Sequence, residues 1–586
     1  MTMGTPLPEV SGPNGTYDFY QAERRASGWQ TTRRLSPTGA EAVIPNAGGV
    51  SSDHRYAIVH VSPLASTSGG SLGDEGSADY LGNPDGSFEL VGIGSLGTER
   101  LAQGRFISPG GEHVVFTTGS NWCLTGGCPK LQLEPNAPPT GTAAVYDRAA
   151  DGPTHVVSLL PGDVPPAAGE EALYQGASAD GSVIAFKISG TLYVRVDNAV
   201  TKAVTSEAST FAGLSSNGDH LFYVSAGDIL RFDVSSGTTT PVTSSGDADV
   251  VDVSADGSHV YFISPSQLDG SQGFAGEPNM YGWSSGSTDY IASVLDSDLE
   301  QTSGNQIGYP GLTNWTDWAV TPDRTPSSGV GPGGNSSRST PDGNVLVFES
   351  RGKLTDYDNQ GHTQIYRYDA LASSLQCVSC NPSGAPATAD SRLQALEVVK
   401  PWVTIHNVSV DGSRVFFETA EQLTGGDING INDVYQWRGA TAGLGGTVQL
   451  ISSGRSPEFP PLLKGPETVP QPNVLLGVNL AGSDVFFIAL ESLVPSAPGS
   501  GSPAIYDARI GGGFPEAASI TPCSAIDACR GPVVTLSPPL VAAPPKNSTA
   551  GGNFRPRKHR CKRFHRKGMA KKHRACHRRN KKRAGK

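Results

Sequence analysis

The sequence predicts an all-β protein, a β-propeller of about eight four-stranded blades followed by a disordered basic C-terminal tail. Three observations predict it. Gly and Pro supply 73 and 44 of 586 residues, about a fifth of the chain, which opposes regular helix. A turn signal followed by alternating apolar residues recurs eight times. The copies lie about 61 residues apart on average, and a period of that size with four strands per unit means propeller blades. With 17% charged and 37% hydrophobic residues the chain is too apolar to be wholly disordered. No run of about 18 apolar residues suggests a membrane helix.

The turn is Ser-x-Asp-Gly-Ser. Its clearest copies are Ser178–Phe186, Ser254–Phe262, Thr340–Phe348 and Ser409–Phe417, with a close relative at Ser215–Tyr223 and weaker copies starting at Ser51, Ser108 and Asn479. Asp-Gly and Asn-Gly supply positive φ at a tight hairpin, and the β-branched and aromatic run makes the next strand. A strand with Tyr and Asp or Trp follows most copies, as in Val145-Tyr-Asp147, Ile365-Tyr-Arg-Tyr-Asp369, Val434-Tyr-Gln-Trp437 and Ile505-Tyr-Asp507. A further strand then ends in Val-Ser or Ile-Ser, at Val157-Ser158, Val378-Ser379 and Ile451-Ser452. A tandem of small β-sandwiches is the competing architecture.

The Asp-Gly turn, the apolar strand ending in Phe and the later Ile/Val-Tyr-x-x-Asp resemble the WD40-like, TolB-type propeller repeat over most of Ser51 to Asp507. The Gly-His and Trp-Asp dipeptides of true WD40 proteins are not at repeat-equivalent positions. The resemblance implies a propeller that is usually extracytoplasmic in bacteria.

Residues 1–38 do not begin with the turn. Tyr17-Asp-Phe-Tyr20 and Gly28–Ser36 match the second half of a blade, so this segment is a partial blade or a set of closing strands. Met1 is then either a true start or internal to a longer natural chain, because no charged segment followed by an apolar one marks a signal peptide. Residues 39–531 form the propeller, 532–553 a Pro/Ser/Gly-rich linker and 554–586 the basic tail. The tail holds 17 Lys and Arg and no acid, which leaves 27 basic against 55 acidic residues in the rest. An acidic body makes nucleic acid an unfavoured partner. The tail suits an anionic cell-envelope polymer, and its Cys561, His565, His573 and Cys576 are a competing metal set.

The eight cysteines fall in close pairs. Cys123 with Cys128, Cys377 with Cys380 and Cys523 with Cys529 are expected as local disulfides, which places the protein in an oxidising compartment, secreted or on the cell surface. Asp427-x-Asn429-Gly430-x-Asn432-Asp433 has the alternating oxygen ligands and central Gly of a calcium loop, although the bidentate Glu of an EF-hand is missing. The competing reading is an Asx-turn network. The loop Leu354–Tyr366 aligns with it and carries Gln364 at the place of Asp433.

Gly-x-Ser-x-Gly occurs at Ser71 and Ser284, but neither sits between a strand and a helix as a nucleophile elbow requires. His54, His113, His220 and His259 lie beside the repeated turn and read as strand-entry residues. No P-loop, dinucleotide fingerprint or HExxH appears. The expectation is a monomeric, non-enzymatic propeller that binds a protein or glycan partner through its loops, with no transmembrane segment. The alternative is a propeller enzyme acting on glycan or peptide in its central channel.

Overall fold

In a computed structural model the structure describes residues 2–3, 18–26, 28–34, 42–62, 78–119, 129–149, 152–244, 247–299, 337–393, 406–439, 445–457, 473–494, 497 and 503–513. All lie in one compact unit, Met1–Phe514. The linker, the tail and the cysteines 123, 128, 523, 529, 561 and 576 fall outside the described residues, as does Ser71.

The protein is a β-propeller. Seven antiparallel sheets of four strands and one of three follow one another, each with its strands in sequence order. Blade one spans Ala42–Leu90, blade two Gln103–Val156, blade three Ala172–Ala203 and blade four Thr210–Pro241. Blade five spans Asp249–Ser293, blade six Ser337–Cys377, blade seven Ser391–Leu450 and blade eight Asn473–Arg509. Each blade starts with the strand that precedes the Asp-Gly turn, so the blade boundary lies one strand ahead of the sequence repeat. Among the described residues helix is confined to Asp296–Leu299 and a 3-10 turn at Pro109–Gly111.

Burial follows the radial order of the strands. Second strands such as Val345–Ser350 and His259–Ser264 are buried along nearly their whole length, because a blade neighbour covers each face. That is why they read as continuous apolar runs. Outer strands such as Thr238–Pro241 are exposed throughout.

The repeated Phe and Tyr are cross-strand partners. Phe116 stacks on Tyr146 at 5.3 Å, Phe186 on Tyr193 at 5.4 Å, Phe348 on Tyr366 at 5.8 Å and Phe417 on Tyr435 at 5.9 Å, each pair directly opposite in register. Each such pair adds about 0.5–1.5 kcal/mol beyond area burial. Tyr223 faces Leu230 in blade four, where the pattern lapses.

The turn is a closed hydrogen-bond circuit. In blade seven the buried Ser409 hydroxyl donates to Asp411 Oδ1 at 2.5 Å and accepts from Arg414 N, while Ser413 N donates to the same carboxylate oxygen. Thr340, Asp342, Asn344 and Val345 repeat the circuit in blade six. Neighbouring turns also bond to each other. Ala179 N donates to Ser216 O, Ser216 N to Ala255 O and Val410 N to Leu480 O. Pro341 has no N–H and only accepts, from Asp256 N. A Cβ at Gly412, which sits at φ +63°, would stand 2.5 Å from Val345 Cγ2 of the preceding blade. Gly343 lies over His259 in the same way. The histidines His113, His220 and His259 thus serve as floors for the next turn, as strand-entry residues would.

The N-terminal strands Thr2–Met3, Asp18–Arg25 and Gly28–Arg34 form a three-stranded sheet of their own. Arg24 pairs with Asp507 at 2.7 Å and with Asp484, and Trp29 packs edge-on against Phe486 at 5.7 Å. The N-terminal strands also lie against the first strand of blade one. This sheet therefore touches the first and last blades and joins the two ends of the series.

Candidate functional site

In an antiparallel meander the first-to-second and third-to-fourth connections share one end, and the other connections share the opposite end. At the first end most connections between described strands are tight, such as Ala177–Val183, Val196–Val200 and Ser284–Ser287, the step from Arg392 to Arg414 in blade seven being the exception. Ser284 lies at such a turn, not at a strand-to-helix elbow. At the opposite end several connections are long, although Ile188–Thr191 and Ser225–Asp228 are tight hairpins. Thr117 to Val145, Ser264 to Asn279, Ser350 to Gln364, Thr419 to Asp433 and Ala489 to Ala504 all project there.

The repeated Tyr pins these long loops. Tyr281 Oη donates to Ser266 O and accepts from Leu268 N, and Tyr506 Oη does the same with Glu491 O and Leu493 N. Tyr366 donates to Gly352 O and accepts from Leu354 N, and Tyr435 accepts from Leu423 N. The Val-Ser and Ile-Ser pairs lie just past the fourth strand and have a second job there. The Ser379 hydroxyl accepts from Ile365 N and donates to Gln364 Oε1, while Ser452 accepts from Val434 N and donates to Asp433 Oδ1. A loop held at both of its ends presents its tip in a fixed place. Phe274 and Ile428 stand at such tips, 65% and 63% exposed.

Buried carboxylates crowd the seam between blades seven and eight. Glu418 Oε1 accepts from Leu475 N at 2.5 Å and Oε2 from Asn432 Nδ2 at 2.9 Å. Burial pushes Glu418 up to about 7 against those hydrogen bonds. Asn473 Nδ2 donates to Asp433 Oδ1 and to Asn432 O, while Asn432 Nδ2 also reaches Asn473 O. Asp433 is pushed up to about 6, first by burial and then by the nearby charge of Asp427. Tyr435 donates to Asp427 Oδ2 at 2.5 Å, and burial together with that bond raises its hydroxyl.

The structure brings Asp427 and Asp433 together and turns Asn429 into the loop, where Asn429 Oδ1 accepts from Ile431 N. The Asn432 amide nitrogen faces the blade seam instead. The sequence reading missed Glu418 and Asn473. An acidic residue after the strand-two Phe, in Phe417-Glu418 and in Phe348-Glu349, was the available signal. Glu349 makes the equivalent bond to Leu393 N.

Cys377 and Cys380 form a disulfide with Cα atoms 5.5 Å apart, at the same long-loop end. Asn381 beside it donates to Glu421 of blade seven. Among the described residues no group of three or more His, Cys, Asp or Glu side chains is placed to hold a metal. None of the helices there is long and apolar enough to cross a membrane.

No family model matches the chain, and no curated protein matches it. Among solved structures it is similar to TolB from Acinetobacter baumannii, at 17% identity over 54% of this chain and 60% of that one, with a TM-score of 0.22. It is similar to dipeptidyl peptidase 4 from Porphyromonas gingivalis, at 12% identity over 78% and 56%, with a TM-score of 0.39. The β-propeller domain of the Trilobed protease from Pyrococcus furiosus matches at 11% identity over 66% and 91%, with a TM-score of 0.28. The chain spans less than two thirds of the first two proteins. The propeller itself is established by the succession of sheets.

Proposed function

We propose that the protein is a non-enzymatic binding module that takes a protein or glycan partner on its long-loop end. The asymmetry of the two ends supports this. One end is sealed by turns that hydrogen-bond to one another, and the other carries long loops pinned at Tyr and Ser with apolar tips such as Phe274 and Ile428. Loops held by a rigid scaffold are where binding residues collect.

The Cys377–Cys380 disulfide at that end supports an extracytoplasmic location. The basic tail supports attachment to an anionic envelope polymer, which salt would weaken steeply. Photo-crosslinkers placed at Phe274 and Ile428, and at Leu371 on the tight-turn end, test the reading. Envelope glycans or proteins should be captured from the long-loop positions. Equal capture from Leu371, or capture from that position alone, sinks it.

A further inference from the structure

Asp427 and Asp433 are six residues apart and both have 0% exposure. Two Asx turns fold the loop between them: Asn429 N donates to Asp427 Oδ1 at 3.4 Å, and Ile431 N donates to Asn429 Oδ1. Gly430 completes the reversal at φ +67°. The segment from Ser452 to Ser456 lies against the loop. Ile428 N bonds to Gly454 O, and a Cβ at Gly454 would stand 2.5 Å from Asp427 Cα.

The donors available to the two carboxylates are few. Tyr435 serves Asp427 Oδ2 and Asn429 N serves Asp427 Oδ1, Ser452 and Asn473 both serve Asp433 Oδ1, and the Asn429 amide and Gly454 N also favour the charged form of Asp433. Asp433 Oδ2 is buried with no hydrogen-bond partner. No Lys or Arg of the described residues stands among the groups that act on Asp433. Two neighbouring carboxylates cannot both be buried cheaply, and an orphaned anionic oxygen costs more than a neutral one.

We propose that the loop Thr424–Asp433 of blade seven closes around one calcium ion held between the Asp427 and Asp433 carboxylates. A divalent cation neutralises the pair and supplies the partner that Asp433 Oδ2 lacks. The donor set is all oxygen, and Asn429 Oδ1 and loop carbonyls are of the same kind. Calcium accepts six to eight oxygens in irregular geometry, whereas magnesium demands a near-ideal octahedron and gives up its waters reluctantly. The equivalent loop of blade six is the internal control. Gln364 stands where Asp433 does, and the nearby Asp358 is exposed, so that loop buries no charge. The proposal is independent of the partner-binding reading, since a structural ion would be held whatever the long-loop end recognises.

The test uses the full chain stripped with chelator. Calcium chloride should raise the melting temperature by a few degrees and magnesium should not, because only the folded state offers the site. Terbium should bind with tyrosine-sensitised emission, through the proximity of Tyr435, and calcium should displace it. Asp433→Asn keeps the side-chain shape and should lose both the melting shift and the emission, with far-ultraviolet circular dichroism unchanged. Asp358→Asn in blade six should lose neither. If Asp433→Asn does not fold, Asp427→Asn is read in the same way. A melting temperature indifferent to calcium together with no displaceable terbium overturns the proposal. So does a calcium response that survives both substitutions.

Discussion

Blades six and seven share the frame of their second and third strands and differ in what that frame encloses. In both, Phe of the second strand stacks on Tyr of the third, at 5.8 and 5.9 Å. In both, the Tyr hydroxyl pins a loop of equal length, and a Ser just after the fourth strand caps the third strand. Yet Ser379 donates to the neutral Gln364, whereas Ser452 donates to the carboxylate of Asp433. The position before the first apolar residue of the third strand is a polar socket in blades five, six and seven, whereas Ala144 and Ala504 stand there in blades two and eight. In blade five it holds Asn279, which accepts from Ser293. The comparison teaches that the scaffold is indifferent to the charge in this socket, so a single residue can turn a hydrogen-bonded loop end into a charged one.

The largest effect should come from breaking the frame itself. Gly412→Ala forces a left-handed backbone on Ala and drives its methyl into Val345 across the seam of the two blades, so about 4 kcal/mol should be lost. A melting temperature within a degree of the parent would show that the turns do not bear on each other as described.

The next effect is a pH response of the seam beside blade seven, in calcium-free buffer. Glu418 is pushed up to about 7 and Asp433 to about 6, both chiefly by burial, while Gln364 does not titrate. The folded state therefore holds protons that the unfolded chain has already released. This stability is fully present below the ordinary carboxylate range, near pH 4, and is lost as pH rises through 6 and 7. For Glu418 it amounts to about 3 kcal/mol. Melting temperature should fall between pH 5 and pH 8, and Glu418→Gln should flatten the slope. An unchanged slope in that variant would assign the pH response elsewhere.

A smaller contrast sits at the pinning tyrosines. Tyr435→Phe removes the donor to Asp427 as well as the loop bond and should cost about 2 kcal/mol, against about 1 for Tyr366→Phe. Equal costs would mean that the Asp427 bond contributes nothing. Smallest of all, Ser379→Ala and Ser452→Ala should each cost about 1 kcal/mol for the uncapped N–H of Ile365 or Val434, by chemical denaturation.

Much of the fold was legible because its signals are local. An Asp-Gly turn needs only its own backbone and a neighbouring Ser, and the run Val-Leu-Val-Phe348 announces a strand covered on both faces. The Cys377–Cys380 bridge was legible for the same reason, since three residues of separation hold the sulfurs close. The site was legible only in part. Asp427 and Asp433 stood out by their spacing, but Asn432 was grouped with them although its amide nitrogen faces Glu418. Alternation along one strand could not show this, because Asn473, whose carbonyl accepts from the same amide nitrogen, arrives from the next blade.

The sequence by itself determined the blade: its turn, its order of strands, and its Phe–Tyr pair, all within about 60 residues of one another. Tertiary structure alone decided what lies between blades. It set the turn of one blade on the strand entry of the last, placed Asn473 beside Asp433 and Arg24 beside Asp507, and left Asp433 Oδ2 buried without a donor, as it did Asp147 Oδ1 and Asp507 Oδ1 among the described residues. The physical reason is that backbone pairing is specified by neighbours in the chain. The charge balance of a seam depends on which surfaces the closed ring brings together.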